Sequence, residues 1–255
     1  MRMRTVRTRE RILHAAADLL TREGRAAVST RAVSAAAGVQ PPTLYRLFGD
    51  KDGLLDAVAA YGFQQYLTEK QALGETDDPI DDLRRSWDLH VGFGLSRPGC
   101  YVLMYGEGRY RRDIPAGPET LAILRRNIAR VAAAGRLRMS VERATQLMHA
   151  NGVGVVLTLI STPPPERDPE LPAVAREHVL RTITTMGDIE PEAPTGVASR
   201  AAALRETLRD SGTTALTRSE RALLAEWLDR LADTCEPGPA ARETPGRRDD
   251  RDADR

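Results

Sequence analysis

The chain has 255 residues, of which 41% are hydrophobic and 29% charged, a composition typical of a soluble globular protein with room for two domains. Its longest apolar stretch, residues 152–160, is far shorter than the roughly 20 residues that span a bilayer, and its basic start lacks the apolar segment of a secretory signal. These features exclude a membrane protein and predict a cytoplasmic location.

The formal net charge of +1 hides an uneven distribution along the chain. The first 51 residues contain ten basic and four acidic side chains, a net charge of +6, which leaves −5 for the remainder. A basic segment joined to a mildly acidic body is typical of a DNA-binding domain attached to a domain with another task. A solvated helix face is the simpler alternative for the same charges.

No residue pattern indicates a metal site, a cofactor or a catalytic centre. Cys100 and Cys235 lie far apart and are predicted to be free thiols. The four histidines lack the spacing of metal ligands, and the sequence contains neither a glycine-rich phosphate loop nor a Gly-x-Ser-x-Gly motif. We therefore expect no cofactor and no enzymatic activity.

Helical periodicity runs through the N-terminal part of the chain, and sustained strand-like alternation is absent from the whole sequence, so an all-α fold is predicted. A first helix is expected at about residues 8–23, ended by Gly24. Ser29 suits the N-cap of a short second helix that ends near Ala37. Pro41 and Pro42 open a third short helix, since proline is tolerated in the first helical turn.

The remaining chain continues as helices separated by polar or proline-rich breaks. Asp50 is predicted to cap a long fourth helix over residues 51–72, and further helices are expected at about 80–94, 99–111, 118–134, 140–162 and 170–186. Thr217 and Glu220 form a capping box that predicts a last helix. Its apolar stripe consists of Leu224, Trp227, Leu228 and Leu231. Residues 236–255 contain almost nothing apolar and are predicted to be disordered.

Two short helices joined by a tight glycine turn, with a supporting helix and a basic arm, predict a helix-turn-helix DNA-binding unit. The start of its second short helix would face the base edges. The Gln40 amide suits adenine, whereas the proline rings at 41 and 42 and the Thr43 methyl group suit a thymine methyl group. Helical spacing leaves Tyr45 and Arg46 outside, where they can bind phosphate.

The segment STRAVSAAAGVQPPTLYRLFGDKDGL, residues 29–54, resembles the signature of the TetR (tetracycline-repressor-like) family, and RERILHAAADLL before it resembles the family's first helix. The resemblance covers about the first 60 residues. It implies an all-α protein with an N-terminal three-helix helix-turn-helix domain, residues 1–50, and a C-terminal helical ligand-binding and dimerisation domain. The latter would span residues 51–235, with residues 51–72 as the connecting helix.

The resemblance also implies roles for single residues. Thr43, Tyr45 and Lys51 would contact the DNA backbone, and residues 40–43 would face the bases. Thr30 and Arg31, at the start of the second helix, are further DNA-binding candidates.

Three positions depart from the family pattern. The family usually has serine in place of Gln40 and a small or polar residue in place of Pro42, so the base preference is not inherited from a relative. Leu47 stands where the family commonly has histidine or tyrosine, and it cannot hydrogen-bond a phosphate. Arg46 is expected to contribute more of the phosphate contact.

The resemblance is weak in the C-terminal body, because members of the family diverge there and share little beyond helices, a ligand cavity and a dimer interface. Apolar and aromatic side chains with a few polar groups suit a small-molecule pocket. The candidates for it are Trp87, His90, Phe93, Met104, Tyr105, Met148 and His149. Ordinary core packing is the competing interpretation of each. Asn151 is expected to be buried within an apolar helix, where its amide would need a partner, and it is a further ligand candidate.

The sequence therefore predicts a DNA-binding transcriptional regulator. It would bind a palindromic double-stranded operator as a homodimer, as a repressor that a small apolar or aromatic effector releases. Two alternatives stay open: a constitutive or architectural DNA-binding protein without an effector, and an enzyme fused to a helix-turn-helix.

Overall fold

The computed structural model describes residues 2–106, 116–185, 196–210 and 216–233. Within these ranges the protein is helical, without β-strands, and a single antiparallel bridge joins Leu137 to Thr184. No described helix is both long enough and apolar enough to cross a membrane. Cys235, the predicted disordered tail and the expected helix over residues 107–111 lie outside the described residues.

The first four helices follow the sequence prediction closely. They are α1 (Arg2–Glu23), α2 (Thr30–Ala36), α3 (Pro41–Phe48) and α4 (Lys51–Ala72). Helix α1 begins six residues earlier than expected. The predicted caps are present, because the Ser29 hydroxyl accepts a hydrogen bond from the Ala32 amide at 3.1 Å and the Asp50 carboxylate accepts one from the Gly53 amide at 2.8 Å.

Seven further helices lie in the described part of the chain. They are α5 (Pro79–Ser96), α6 (Pro98–Tyr101), α7 (Ala116–Ala133), α8 (Val141–Ser161), α9 (Leu171–Ile183), α10 (Val197–Asp210) and α11 (Arg218–Ala232). The helix expected from residue 99 is instead the short α6, which continues as a π-helical segment at Val102–Gly106. Helix α10 was not predicted, because its alanine-rich sequence has only a narrow apolar stripe.

One hydrophobic core extends from α1 to α9. A separate small cluster joins α10 to α11, and α10 also packs against α7. The capping box of α11 is formed, with the Thr217 hydroxyl accepting from the Glu220 amide at 3.3 Å and the Glu220 carboxylate accepting from the Thr217 amide at 2.8 Å. The apolar stripe that follows is only partly covered: Leu228 is buried, whereas Trp227 is 49% exposed.

Candidate DNA-binding surface and effector cavity

Helices α2 and α3 are joined by a tight turn at Gly38, whose φ of 61° lies in the left-handed region that favours glycine. Gln40 occupies the N-cap position of α3, but its side chain makes no capping hydrogen bond. Pro41 and Pro42 fill the first turn of α3, where the missing amide hydrogens cost nothing. The Gln40 amide therefore remains available for another partner.

Helix α3 has one buried and one exposed face, as its spacing predicted. Leu44 is fully buried, and Leu47 and Phe48 are half-buried. Thr43 is half-buried as well. The exposed side chains include the candidates for base and phosphate contacts: Gln40, Pro41, Pro42, Tyr45 and Arg46.

The other DNA-binding candidates flank α3. The Thr30 and Tyr45 hydroxyls lie 3.4 Å apart, which joins the start of α2 to the exposed side of α3. Arg31 on α2 and Lys51, the first residue of α4, are exposed. Two cations and two hydroxyl groups thus surround a helix whose N-terminal turn is exposed, an arrangement suited to phosphate contacts around a base-reading helix.

A small cavity in the C-terminal body has a volume of about 30 Å³, room for about two water molecules, and opens to solvent. Helices α4, α5, α7 and α8 and the π-helical segment enclose it. Its lining residues are Tyr66, Lys70, Ser86, Trp87, His90, Tyr105, Thr120, Leu121, Leu124, Met148, His149 and Gly152. Five of the sequence-predicted ligand residues are thus brought together, namely Trp87, His90, Tyr105, Met148 and His149.

Three sequence-predicted ligand residues lie outside the lining of this cavity. Phe93 is buried in the core, with its ring 5.0 Å from that of Tyr66, and Met104 is fully buried. Asn151, expected to be buried, is exposed, because it lies on the outer face of α8. Its amide donates to the Leu147 carbonyl oxygen at 2.8 Å, one helical turn earlier.

His90 is held by two tyrosine hydroxyls. Its Nδ1 lies 2.6 Å from the Tyr66 hydroxyl and its Nε2 lies 2.7 Å from the Tyr101 hydroxyl. Burial lowers the pKa of His90 to about 3, and the nearby charge of Lys70 acts in the same direction. The neutral ring donates through one nitrogen and accepts through the other. Since both nitrogens have partners, His90 offers a ligand mainly its ring face.

Lys70 is the charged residue among the seven lining residues that were not predicted from the sequence. Its side chain is 7% exposed, and its Nζ donates to the Ser86 hydroxyl at 2.8 Å and lies 5.3 Å from the centre of the Tyr66 ring. Burial lowers the pKa of Lys70 to about 8. Lysine is almost never fully buried, so residue type alone predicts that Lys70 is exposed. Its position in the sequence could have predicted its burial, since Lys70 follows Phe63, Tyr66 and Leu67 at helical spacing on the buried face of α4.

Two structural links connect the cavity to the N-terminal helices. Helix α4 begins beside α3 and reaches the cavity at Tyr66 and Lys70. The short α6 carries Tyr101, which binds His90, and Gly99, which packs closely on the backbone of Leu20 in α1. A shift at the cavity can therefore reach α1 through directly packed elements.

Comparisons with known proteins agree with this arrangement. Residues 12–58 match the model of the tetR family of bacterial regulatory proteins. No curated protein matches the chain.

The solved structures include several similar folds. A tetR-family regulatory protein from Rhodococcus RHA1 is 22% identical, with a TM-score of 0.55 over 69% of this chain and 96% of that chain. A TetR-family transcription regulator from Marinobacter aquaeolei VT8 is 22% identical, with a TM-score of 0.55 over 72% and 99%. The fatty acid degradation regulator FadR from Bacillus halodurans is 16% identical, with a TM-score of 0.54 over 68% and 92%. Residues 12–58 thus match the tetR family model, and the described part of the chain shares its all-helical fold with these solved structures.

Proposed function

We propose that the protein is a transcriptional repressor that binds a palindromic operator as a homodimer and is released by a small effector bound in the cavity. In this proposal residues 1–50 bind DNA, and residues 51–235 bind the effector and dimerise. The observation that carries it is the exposed polar face of α3 above fully buried Leu44, within the segment that matches the tetR family.

The DNA-binding side chains divide into two groups by the chemistry that they offer. The Tyr45 hydroxyl and the Lys51 ammonium group suit phosphate, which carries no sequence information. The Gln40 amide, exposed at the start of α3, can form two hydrogen bonds to one adenine. Phosphate contacts should therefore set affinity for all DNA, whereas Gln40 should contribute to sequence preference.

An operator selected from random DNA tests this division. Tyr45→Ala and Lys51→Ala should weaken binding to operator and random DNA alike. Gln40→Ala should reduce discrimination at one base pair by about 1–3 kcal/mol. Gln64, exposed on α4, supplies the matched control, since Gln64→Ala should change neither quantity. Equal losses of specific and non-specific affinity on Gln40→Ala would remove Gln40 from the base-reading role.

The proposed homodimer has its support in the exposed apolar side chains of α11. Leu223, Trp227 and Leu231 follow one another at four-residue intervals and are 46%, 49% and 44% exposed. Leu204 on the adjacent α10 is 47% exposed. Two copies joined by a two-fold axis would present their recognition helices to successive major grooves about 34 Å apart.

Effector release is supported by the cavity and by its packing links to α1 and α4. Such coupling typically changes affinity by roughly 5- to 150-fold and is reciprocal, so operator DNA should weaken effector binding by the same factor. The test is to titrate a labelled operator complex with small metabolites while following the melting temperature of the free protein. A compound that raises the melting temperature yet leaves operator affinity unchanged would favour a constitutive DNA-binding protein.

A further inference from the structure

We propose that the cavity ligand is a small monocarboxylic acid whose carboxylate binds between Lys70 and Ser86. This inference rests on the proposed role of the cavity as the effector site. It adds an anionic group at a defined position to a ligand that the sequence predicted only to be apolar or aromatic.

The first argument is the buried positive charge. An ammonium group removed from water is costly unless a counter-ion compensates it. In the described part of the chain Lys70 has a hydroxyl and an aromatic ring as neighbours but forms no ion pair. Glu75 and Asp82, which line the adjacent groove, are both paired with Arg130. An anionic ligand would supply the missing counter-charge.

The second argument is the set of hydrogen-bond donors. An ammonium group has three N–H donors, and Lys70 directs one of them to the Ser86 oxygen. The Ser86 hydroxyl hydrogen is engaged with no acceptor among the described residues. Two N–H groups and one O–H group therefore remain at the same end of the cavity. A carboxylate accepts hydrogen bonds through both oxygens and needs no donor of its own.

Two further polar residues of the lining are already engaged by hydrogen bonds. Thr120 donates its hydroxyl hydrogen to the Gly117 carbonyl oxygen at 2.7 Å, and both nitrogens of His90 are bound by tyrosines. A phosphate or a dicarboxylate would require a second cation, and among the described lining residues Lys70 is the one with an ammonium or guanidinium group.

The rest of the lining suits an apolar body. Trp87 donates its indole N–H to the Pro172 carbonyl oxygen at 3.0 Å, so its ring presents only carbon to the cavity. Leu121, Leu124 and Met148 complete this apolar wall. The ligand would place its carboxylate at Lys70 and a short aliphatic group against the wall, whose side chains would move apart because the cavity holds only about 30 Å³. Lys70 and Ser86 also border the adjacent groove, which gives the carboxylate end a route to solvent.

Matched acids and alcohols test the proposal on the 255-residue chain. The probes are acetate, butanoate and pentanoate, each compared at pH 7 with the alcohol of the same carbon skeleton, by calorimetry. The acids should bind about 10- to 100-fold more tightly than the alcohols, the range expected for hydrogen bonds to a charged group. Ser86→Ala should reduce this preference, and Lys70→Met should abolish it while alcohol binding persists.

The chain has only two lysines, so Lys51→Met is the matched control for ligand binding in the absence of DNA, where it should keep the preference for acids. The proposal is overturned if no acid binds the wild-type protein more tightly than its alcohol, or if Lys70→Met retains the preference. Operator affinity is measured separately. Alcohols that release the operator without any preference for acids would overturn this inference and leave effector release intact. Acids that depend on Lys70 but leave operator affinity unchanged would support the carboxylate site and contradict release.

Discussion

At the scale of single residues, Lys70 combines a functional opportunity with a cost in stability. Its ammonium group is held among the Tyr66 ring, the Ser86 hydroxyl and apolar side chains. Burial disfavours the charged form and lowers the pKa of Lys70 to about 8, from 10.5 in an exposed lysine. The folded protein therefore solvates this charge less well than water does, and the charge lowers the stability of the fold.

The pH dependence of stability should reveal this cost. Between about pH 8 and pH 10.5 the unfolded chain binds more protons at Lys70 than the folded chain does, so the penalty is complete below pH 8 and fades as the pH rises. Lys70→Met lacks the penalty. Its advantage over the wild type in free energy of unfolding should shrink by about 3 kcal/mol across this range.

Urea denaturation of the two proteins at several pH values measures the difference. The titratable groups that line the cavity with Lys70 are Tyr66 on α4, His90 on α5, Tyr105 on the π-helical segment and His149 on α8. Burial lowers the pKa of both histidines, so they are neutral above pH 8, and raises the pKa of Tyr66 well above 10. A pH-independent difference between the two proteins would show that Lys70 keeps an ordinary pKa.

At the scale of helices, the close contact between α6 and α1 depends on the absence of a side chain. A β-carbon at Gly99 would lie 2.6 Å from the Leu20 carbonyl oxygen, which belongs to the backbone and cannot rotate away. Because α6 also carries Tyr101, this contact joins the His90 network to the helix that supports the helix-turn-helix. The spacing of α6 from α1 is thus fixed by Gly99.

Gly99→Ala should therefore separate α6 from α1. We expect a loss of about 1–3 kcal/mol in the free energy of unfolding, the usual cost of overpacking, together with a change in operator affinity. Gly92, on the exposed side of α5 with open space around it, supplies the control. Gly92→Ala should stabilise the protein by about 0.5–1 kcal/mol through better helix propensity. A Gly99→Ala protein as stable as the wild type would refute the tight α1–α6 contact.

Packing between helices also explains which elements could be predicted from the sequence. Helices α2 to α4 were predicted nearly to the residue because local features fix their ends, such as Ser29, Gly38 and Asp50. Helix α10 lacks such features in its sequence, and its position depends on packing against α7 and α11. Local sequence features define helix ends, whereas tertiary packing determines whether a weakly amphipathic segment forms a helix.

The candidate site was predictable only in part, for a related reason. Trp87, His90, Tyr105, Met148 and His149 line one cavity, in keeping with the preference of aromatic and apolar residues for the interior. Burial could not be predicted from local sequence for Asn151, which is exposed, or from residue type for Lys70, which is buried. Which face of a helix is covered depends on its neighbours, and the sequence does not say which helices those are.

At the scale of the whole molecule, the exposed stripe of α11 supports the proposed homodimer. Within one chain α11 packs mainly on α10, through a small cluster that includes Leu228 and Ala232. Leu223 and Trp227 remain half-exposed, although they lie on the same well-capped helix. In a two-fold dimer the stripe of one subunit would pack against the same stripe of the partner subunit, so that each stripe covers the other.

A charge introduced into this stripe should therefore separate the dimer. Leu223→Glu and Trp227→Glu each place two carboxylates at a two-fold interface, and both variants should sediment as monomers in analytical ultracentrifugation at micromolar concentration. Operator affinity should fall by on the order of 10²-fold or more, because a monomer loses the gain from binding two half-sites at once, while affinity for one isolated half-site stays unchanged. Val174, on α9, is 61% exposed and provides the same type of substitution outside the stripe. Val174→Glu should leave both the dimer and operator affinity as they are. If Trp227→Glu stays dimeric while Val174→Glu dissociates, the interface lies on α9 and the assignment to α11 is wrong.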